Sequence, residues 1–155
     1  KVTLANERVS LSTGGALWGR GPSAPDLVAL AREHGVADPV LRQRVAQMHI
    51  EGELLRLLRL RTVTAAIRGT QPGPEASIRK VLGDEHGQRL MSVALDLAGP
   101  GALLADTGPF GGEADLWRYG FLFGPALTIG GGTGEVQRNI IGERVLGLPA
   151  EPTAG

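Results

Sequence analysis

The sequence predicts an all-α protein, an antiparallel helical bundle. Apolar residues recur at steps of three or four over long stretches, and no stretch alternates with a period of two for long enough to form a sheet. Clusters of glycine and proline separate the helical stretches, and short connections of this kind place consecutive helices antiparallel. The 155 residues suit one domain, which we place at residues 1–149, with a flexible tail at residues 150–155.

The first half of the chain contains three predicted helices. The first runs from about Val2 to Leu11, and a short one follows from Leu27 to His34, with Asp26 as its N-cap. The longest extends from Pro39 to Arg68, where Asp38 supplies the N-cap and proline occupies the first helical position.

The apolar arc of the long helix is unusually wide. The arc predicts contact with more than one neighbouring helix, since a narrow stripe would suffice for one partner. Its members are Leu41, Val45, Met48, Leu55, Leu58 and Thr62, widened by Ile50, Leu54 and Leu57.

Three further segments complete the predicted bundle. A helix from Pro74 to Ala98 has an apolar stripe, and a glycine-rich loop follows at residues 102–113. A helix at residues 115–128 holds four aromatic residues, for which a core cluster is favoured over the lining of a ligand channel. The last helix covers residues 134–145. The stripe comprises Ile78, Leu82, Met91, Ala94 and Leu97, and the aromatic residues are Trp117, Tyr119, Phe121 and Phe123.

The composition excludes several classes of function. Sixteen basic residues balance 16 acidic ones, so charge does not favour nucleic acid or an anionic membrane as a partner. Cysteine is absent, which rules out disulfides and thiolate metal sites in this sequence. His34, His49 and His86 are scattered, so we predict no metal site. No apolar run is long enough to span a bilayer and no signal peptide is recognisable, so we expect a cytoplasmic protein.

The glycine run before the last helix is the most suggestive local feature. Gly130 to Gly132 lead into Thr133, and Glu135 falls in the first helical turn. A helix N-terminus behind a loop of small residues suits an anion or the polar edge of a cofactor. From spacing alone, a tight turn between two helices remains the favoured interpretation.

Four stretches in the same order resemble the C-terminal domain of acyl-CoA dehydrogenases. The most specific is GTGEVQRNIIGERVLGLP, residues 132–149, which is similar to the closing signature of that family. Residues 6–9, 74–78 and 97–101 resemble the first helix, the start of a later helix and the glycine turn after it. The resemblance therefore covers nearly the whole chain and implies the same helical fold.

The resemblance implies α,β-dehydrogenation of an acyl-CoA thioester, with a glutamate as base and flavin N5 as hydride acceptor. One branch of the family has that glutamate at the position of Gly131, which cannot act as a base. The other branch, with isovaleryl- and long-chain-type enzymes, has it in the first helix, where Glu7 is followed by Arg8. Glu7 is thus the implied catalytic base and Arg8 its supporting residue; an exposed carboxylate paired with arginine is the alternative.

The resemblance also implies FAD as cofactor, contacted by Gly132, Thr133 and Glu135. Glu135 stands where many relatives have glutamine. Two flavin-gripping motifs depart from the family pattern: only Arg20 in a Trp-Gly-Arg-Gly-Pro stretch remains of the first, and Leu95 to Gly99 lack the glutamine of the second.

The implied partners are the acyl-CoA substrate, an electron-transfer flavoprotein or similar acceptor, and either further copies of the chain or a sister subunit. Self-association as a dimer or a dimer of dimers, a homotetramer, is the family pattern. A non-catalytic partner subunit and an acyl-CoA oxidase are the alternatives. Because the chain starts at Lys1 inside a helical pattern and lacks the family's N-terminal domains, we expect an upstream portion to be missing and the isolated chain to be inactive.

Overall fold

A computed structural model of the chain describes residues 21–70, 73–103 and 113–150. These residues form helices and turns without any strand, so the predicted all-α bundle is confirmed. A 3₁₀ turn at Pro100–Leu103 follows the third helix, and a π-helical turn at Ile141–Val145 follows the fifth. The five α-helices are α1 (Ala24–Glu33), α2 (Pro39–Ile67), α3 (Glu75–Ala98), α4 (Glu113–Leu127) and α5 (Gly134–Ile140).

Helix α3 lies at the centre of the bundle. It packs against each of the four other helices. Its buried residues Leu90, Met91, Val93 and Ala94 are the largest contribution of any helix to the core, since this spacing presents apolar side chains to several neighbours. The remaining core residues are Ala24 and Leu27 of α1, Val45 and Met48 of α2, and Trp117 of α4.

Helix α1 begins three residues earlier than predicted, and its cap is different. The N-cap is Ser23, and Asp26 lies in the first turn. The Asp26 carboxylate accepts hydrogen bonds from the Ser23 backbone N–H, at 2.8 Å, and from its hydroxyl, at 2.5 Å. Asp26 therefore reaches back to the cap from the third helical position, and Pro25 is tolerated because its missing N–H has no helical acceptor there.

Helix α2 begins at the predicted residue, with the Asp38 carboxylate accepting a 2.8 Å hydrogen bond from Val40 N–H, and ends one residue before the predicted Arg68, which is its C-cap. The prediction that its wide apolar arc contacts more than one neighbouring helix is confirmed, since α2 packs against both α1 and α3, but the outer part of the arc is left uncovered among the described residues. Ile50, Leu54 and Leu57 are 52, 52 and 49 % exposed. Only the inner side of the arc packs against the core.

Helix α3 buries Met91 and Ala94 as predicted, and Leu97 packs against the core, but the rest of its buried set differs from the predicted stripe. Leu82 is 39 % exposed, whereas Ser77, Lys80 and His86 are buried. Polar groups can occupy the interior because each of the two charged or titratable side chains has a partner: Lys80 pairs with Asp84, and His86 with Glu51.

The aromatic residues of α4 divide between core and surface. Trp117 is buried, and Phe123 packs against the edge of the core. Tyr119 and Phe121 are 49 % and 42 % exposed, so the predicted core cluster holds for only part of the set. Tyr119 stacks on Phe123 with ring centroids 5.5 Å apart.

None of the described helices combines the length and the apolarity that crossing a bilayer requires. The first predicted helix, with Glu7 and Arg8, lies outside the described residues, as do Arg20 and most of the predicted tail.

Candidate functional site

The glycine segment, residues 128–133, joins α4 to α5 in a tight turn. Gly131 and Gly132 have φ angles of 71° and 100°, in the left-handed region that favours glycine. The Gly132 N–H donates to the Ile129 carbonyl at 3.2 Å, and the Thr128 hydroxyl donates to the Pro125 carbonyl at 2.6 Å. The backbone of the segment is therefore closed on itself by local hydrogen bonds.

Gln137 in α5 holds the segment from inside. Its side chain is fully buried, and Nε2 donates to the Gly131 carbonyl at 2.8 Å. A Cβ on Gly132 would lie 2.8 Å from that same Nε2, so the contact also requires glycine. Gln137 was not among the predicted site residues, because a lone glutamine in a short helix gives no pattern that distinguishes a buried side chain from an exposed one.

Thr133 and Glu135 lie at the exposed end of the segment. Thr133 is the N-cap residue of α5, and Glu135 is in its first turn. Hydrogen bonds from the Glu135 backbone N–H and from the Thr133 hydroxyl lower the pKa of the Glu135 carboxyl. The two predicted residues thus form one polar edge at the positive end of the helix, made of a hydroxyl, a carboxylate and first-turn amides.

Helix α3 contacts both sides of the segment. The Lys80 ammonium donates to the carbonyl of Leu127, the last residue of α4, at 2.8 Å, and also pairs with Asp84. On the other side, the Arg138 guanidinium of α5 lies 2.5 Å from Glu85. The segment is therefore fixed to the central helix immediately before it begins and shortly after it ends.

Gly131 occupies the position at which one branch of the acyl-CoA dehydrogenases, the family that the sequence resembles, has its catalytic glutamate. Gly131 is buried and has a positive φ, so a residue with a Cβ would be strained there. The other candidate base, Glu7, and its neighbour Arg8 lie outside the described residues.

The histidines occupy three different environments. His34 and His49 are exposed, and His86 is buried between α2 and α3. The described residues contain no group of three histidine or carboxylate side chains arranged to hold a metal ion.

The family model for "Acyl-CoA dehydrogenase, C-terminal domain" matches residues 2–146 of this chain. The chain belongs to the acyl-CoA dehydrogenase family. The acyl-CoA dehydrogenase IpdE1 of Mycolicibacterium smegmatis is 37 % identical over 150 residues, which are 96 % of this chain and 36 % of that protein. The chain thus spans about a third of the length of this relative.

Two solved structures resemble the fold of this acyl-CoA dehydrogenase domain. The steroid ACAD Tcur3481-Tcur3483 superposes with a TM-score of 0.71 and 26 % identity, covering 83 % of this chain and 34 % of that one. The ChsE4-ChsE5 complex of Mycobacterium tuberculosis gives a TM-score of 0.64 and 27 % identity, covering 86 % and 37 %.

Residues 95–99, which lack the glutamine of the family's second flavin motif, pack against the core and end α3 in this domain. Leu95 packs against the core, and Gly99 ends α3 with a φ of 69°. The Gly99 N–H donates to the Leu95 carbonyl at 2.9 Å, so the leucine in this motif serves the packing and the glycine the helix end.

Proposed function

We propose that the chain is the C-terminal domain of an FAD-dependent acyl-CoA dehydrogenase that removes hydrogen from the α and β carbons of an acyl-CoA thioester. The family match over residues 2–146 carries the proposal. The glycine segment supports it, because Gly132, Thr133 and Glu135 form a polar edge that suits a cofactor.

Glu7 is the proposed base. An α proton beside a thioester is weakly acidic, so its removal needs a carboxylate held close to it and partly shielded from water, which raises its pKa towards the working pH. Arg8 helps to hold the carboxylate in the site. FAD, when bound, accepts the hydride from the β carbon at N5.

The proposed flavin contact is the edge formed by Gly132, Thr133 and Glu135. The first-turn amides of α5 and the Thr133 hydroxyl are donors, and the Glu135 carboxylate already accepts from that hydroxyl. A flavin edge that offers both donors and acceptors can replace this internal hydrogen bond by two external ones. Where many relatives have glutamine, Glu135 accepts hydrogen bonds without donating any at neutral pH.

The proposed substrate class is an acyl-CoA whose acyl group is attached to a steroid ring system. The support is the likeness of this fold to the steroid ACAD Tcur3481-Tcur3483. A panel of CoA thioesters checks this, with straight short and long acyl chains set against a steroid side-chain thioester. A preference for the straight chains would contradict the substrate class and leave the dehydrogenase proposal intact.

The decisive experiment uses the protein as its host makes it, together with any subunits that co-purify. We expect bound FAD and reduction of an electron-accepting dye on addition of acyl-CoA. Glu7→Gln is expected to retain FAD and lose turnover, whereas Glu33→Gln, an exposed helical glutamate in α1, serves as the matched control and retains both. Full turnover in Glu7→Gln would exclude Glu7 as the base.

The electron acceptor distinguishes the dehydrogenase from an oxidase. A dehydrogenase passes electrons to an electron-transfer flavoprotein and reacts slowly with oxygen. Rapid hydrogen peroxide formation in air, without that acceptor, would assign the protein to the acyl-CoA oxidases instead.

A second candidate function is that of a partner domain, which assembles subunits without chemistry of its own. Its support is the outer stripe of α2, six large apolar side chains that recur at steps of three or four and are all about half exposed or more. They are Ile50, Leu54, Leu57, Leu60, Val63 and Ile67. A continuous exposed stripe of this kind is typical of a protein–protein contact.

We propose that this stripe contacts a second copy of the chain or a sister subunit, since one solved neighbour is a complex of two differently named chains. Light scattering on the purified protein measures its assembly state. Leu54→Glu is expected to reduce the particle to smaller units, and Arg32→Glu, on the exposed side of α1, to leave it unchanged. Wild-type protein that is a single chain under all conditions would rule out the contact.

A further inference from the structure

Lys80 is a buried lysine whose hydrogen bonds lead towards the glycine segment. Its side chain is 2 % exposed, among the most buried in the described part of the chain. Nζ donates to the Leu127 carbonyl at 2.8 Å and to the carboxylate of Asp84, one turn further along α3. Leu127 is the last residue of α4, where helical carbonyls have no N–H partner in their own helix and carry the negative end of the dipole.

Stability alone accounts poorly for this ion pair. Removing both an ammonium and a carboxylate from water is costly, and well-packed apolar residues of the same volume serve a core equally well or better. Burial raises the pKa of the Asp84 carboxyl even though Lys80 opposes the shift, so desolvation is the dominant effect on that group. What an apolar pair would lack is a directional bond to one particular carbonyl.

That carbonyl precedes the glycine segment directly. Thr128 is the next residue, and the segment reaches Thr133 through two glycines with positive φ, Gly131 and Gly132. Local hydrogen bonds and Gln137 fix the shape of the segment, and where its two ends are held fixes the place of that shape, and with it Thr133, relative to α3. Leu127 is held by Lys80, and the far side is held by the Arg138–Glu85 pair, 2.5 Å apart.

We propose that Lys80 is a positioning residue for the flavin: through the Leu127 carbonyl it sets the place of the Gly132–Thr133 backbone and of the first turn of α5. The inference rests on the proposed function, since it assigns the ligand of this edge to the flavin. Lys80 does not touch the cofactor in this scheme; it acts through one backbone carbonyl.

The test compares two double variants of the protein as its host makes it. Lys80→Met with Asp84→Leu removes both charges and the donor to Leu127. Lys80→Gln with Asp84→Asn also removes both charges but retains an amide donor. We expect FAD affinity, measured by flavin fluorescence titration, to fall roughly tenfold or more in the first and to stay close to wild type in the second. Arg44→Gln, which breaks an exposed ion pair with Asp96 on another side of α3, is the control and retains wild-type affinity.

If the wild type and both double variants bind FAD with equal affinity, and both variants melt at the wild-type temperature, the proposal is overturned. Parallel losses of affinity and of melting temperature in both double variants would do the same, because they would reduce Lys80 to a structural role.

A second measurement covers the case in which the Met/Leu variant does not fold. Amide hydrogen exchange in flavin-free wild-type protein is expected to show the Gly132 N–H protected to the same degree as the centre of α3, and Lys80→Gln with Asp84→Asn to preserve that protection. If the Gly132 N–H of the flavin-free protein exchanges freely, the glycine segment is not ordered before FAD binds, and the proposal is refuted. If the wild-type protein binds no FAD at all, the proposed function fails, and amide exchange in the Met/Leu variant, where it folds, still decides whether Lys80 orders the segment: unchanged protection of Gly132 there would refute that role.

Discussion

The Nδ1 atom of His86 lies 3.1 Å from the Glu51 carboxylate, joining α3 to α2. The same Glu51 oxygen accepts from Arg89 at 3.1 Å, and the other oxygen accepts from Gln47 at 3.0 Å. Burial opposes the ionisation of Glu51, but these three donors outweigh it, so the pKa of Glu51 lies below its usual value. Since an ionised carboxylate only accepts, the neutral imidazole donates through Nδ1.

This pair predicts that the bundle loses stability as the pH falls. Burial lowers the pKa of His86 below its ordinary value of 6.5, despite the opposing effect of Glu51. Between the folded pKa of His86 and 6.5, the unfolded chain binds a proton that the folded chain does not. The stabilisation is therefore complete above pH 6.5 and is lost as the pH falls through the folded pKa.

The variant His86→Gln retains a donor for Glu51 without titrating. Melting curves at about pH 7.5 and about pH 5.5 are expected to show a smaller decrease for the variant than for the wild type. Identical decreases would contradict the assignment.

Gly52 in α2 is expected to resist replacement by alanine. An added Cβ would lie 2.7 Å from the Cβ of Ala24 in α1, and neither of these short groups can rotate away. Alanine normally favours a helix by about 1 kcal/mol over glycine. We expect Gly52→Ala to destabilise the domain by about 1–3 kcal/mol nevertheless, since overpacking separates α1 from α2. Urea denaturation measures the change.

The matched control for Gly52 is Gly124 in α4, whose added Cβ would meet Gln88 at an ordinary 3.5 Å. Gly124→Ala is expected to leave stability unchanged or to raise it by up to about 1 kcal/mol. A stabilising Gly52→Ala would show that the two helices separate at little cost.

Gln137 is expected to be required for the order of the glycine segment. Gln137→Leu leaves the buried Gly131 carbonyl without its 2.8 Å donor, and we expect a loss of about 1–3 kcal/mol in the free energy of unfolding. Gln137→Glu has the same shape but places a carboxylate against that carbonyl, so its loss is expected to be larger at neutral pH and to diminish in acid, as the carboxyl takes up a proton. Equal stability of the two variants at every pH would contradict this geometry.

Asp38 is expected to anchor the start of α2. Its carboxylate accepts from Val40 N–H at 2.8 Å, and Asp38→Ala removes that acceptor. The expected loss is about 1 kcal/mol, the usual value for an N-cap, whereas Asp38→Ser should recover most of it. Thermal unfolding followed by circular dichroism checks both variants.

Much of the bundle could be predicted from the sequence because its helices carry local start and stop signals. Asp38-Pro39 predicted the first turn of α2, and the glycines around residue 99 predicted the end of α3. The start of α1 was wrong by three residues because both Ser23 and Asp26 are good N-caps. Only the three-dimensional hydrogen bonds show that one caps the helix and the other reaches back to it.

The exposed residues of the candidate site could be predicted from the sequence, whereas its buried residues could not. Gly132, Thr133 and Glu135 were selected by the glycine run and the family resemblance, and their roles towards FAD stay predictions, as do those of Glu7 and Arg8. Lys80 and Gln137 were missed, because a lysine or glutamine in a helix has no periodicity that reveals burial. Their partners, Leu127 and Gly131, are backbone carbonyls and leave no mark in the side-chain pattern.

The sequence by itself determined the helices and the family of this protein, since both are encoded locally, in caps, apolar spacing and the closing block of residues 132–149. Tertiary structure alone decided which face of each helix is covered. The apolar arc of α2 is uniform in sequence, yet Val45 and Met48 are buried in the core while Leu54 and Leu57 are exposed. Burial depends on which residues meet across distant helices, and periodicity within one helix does not contain that information.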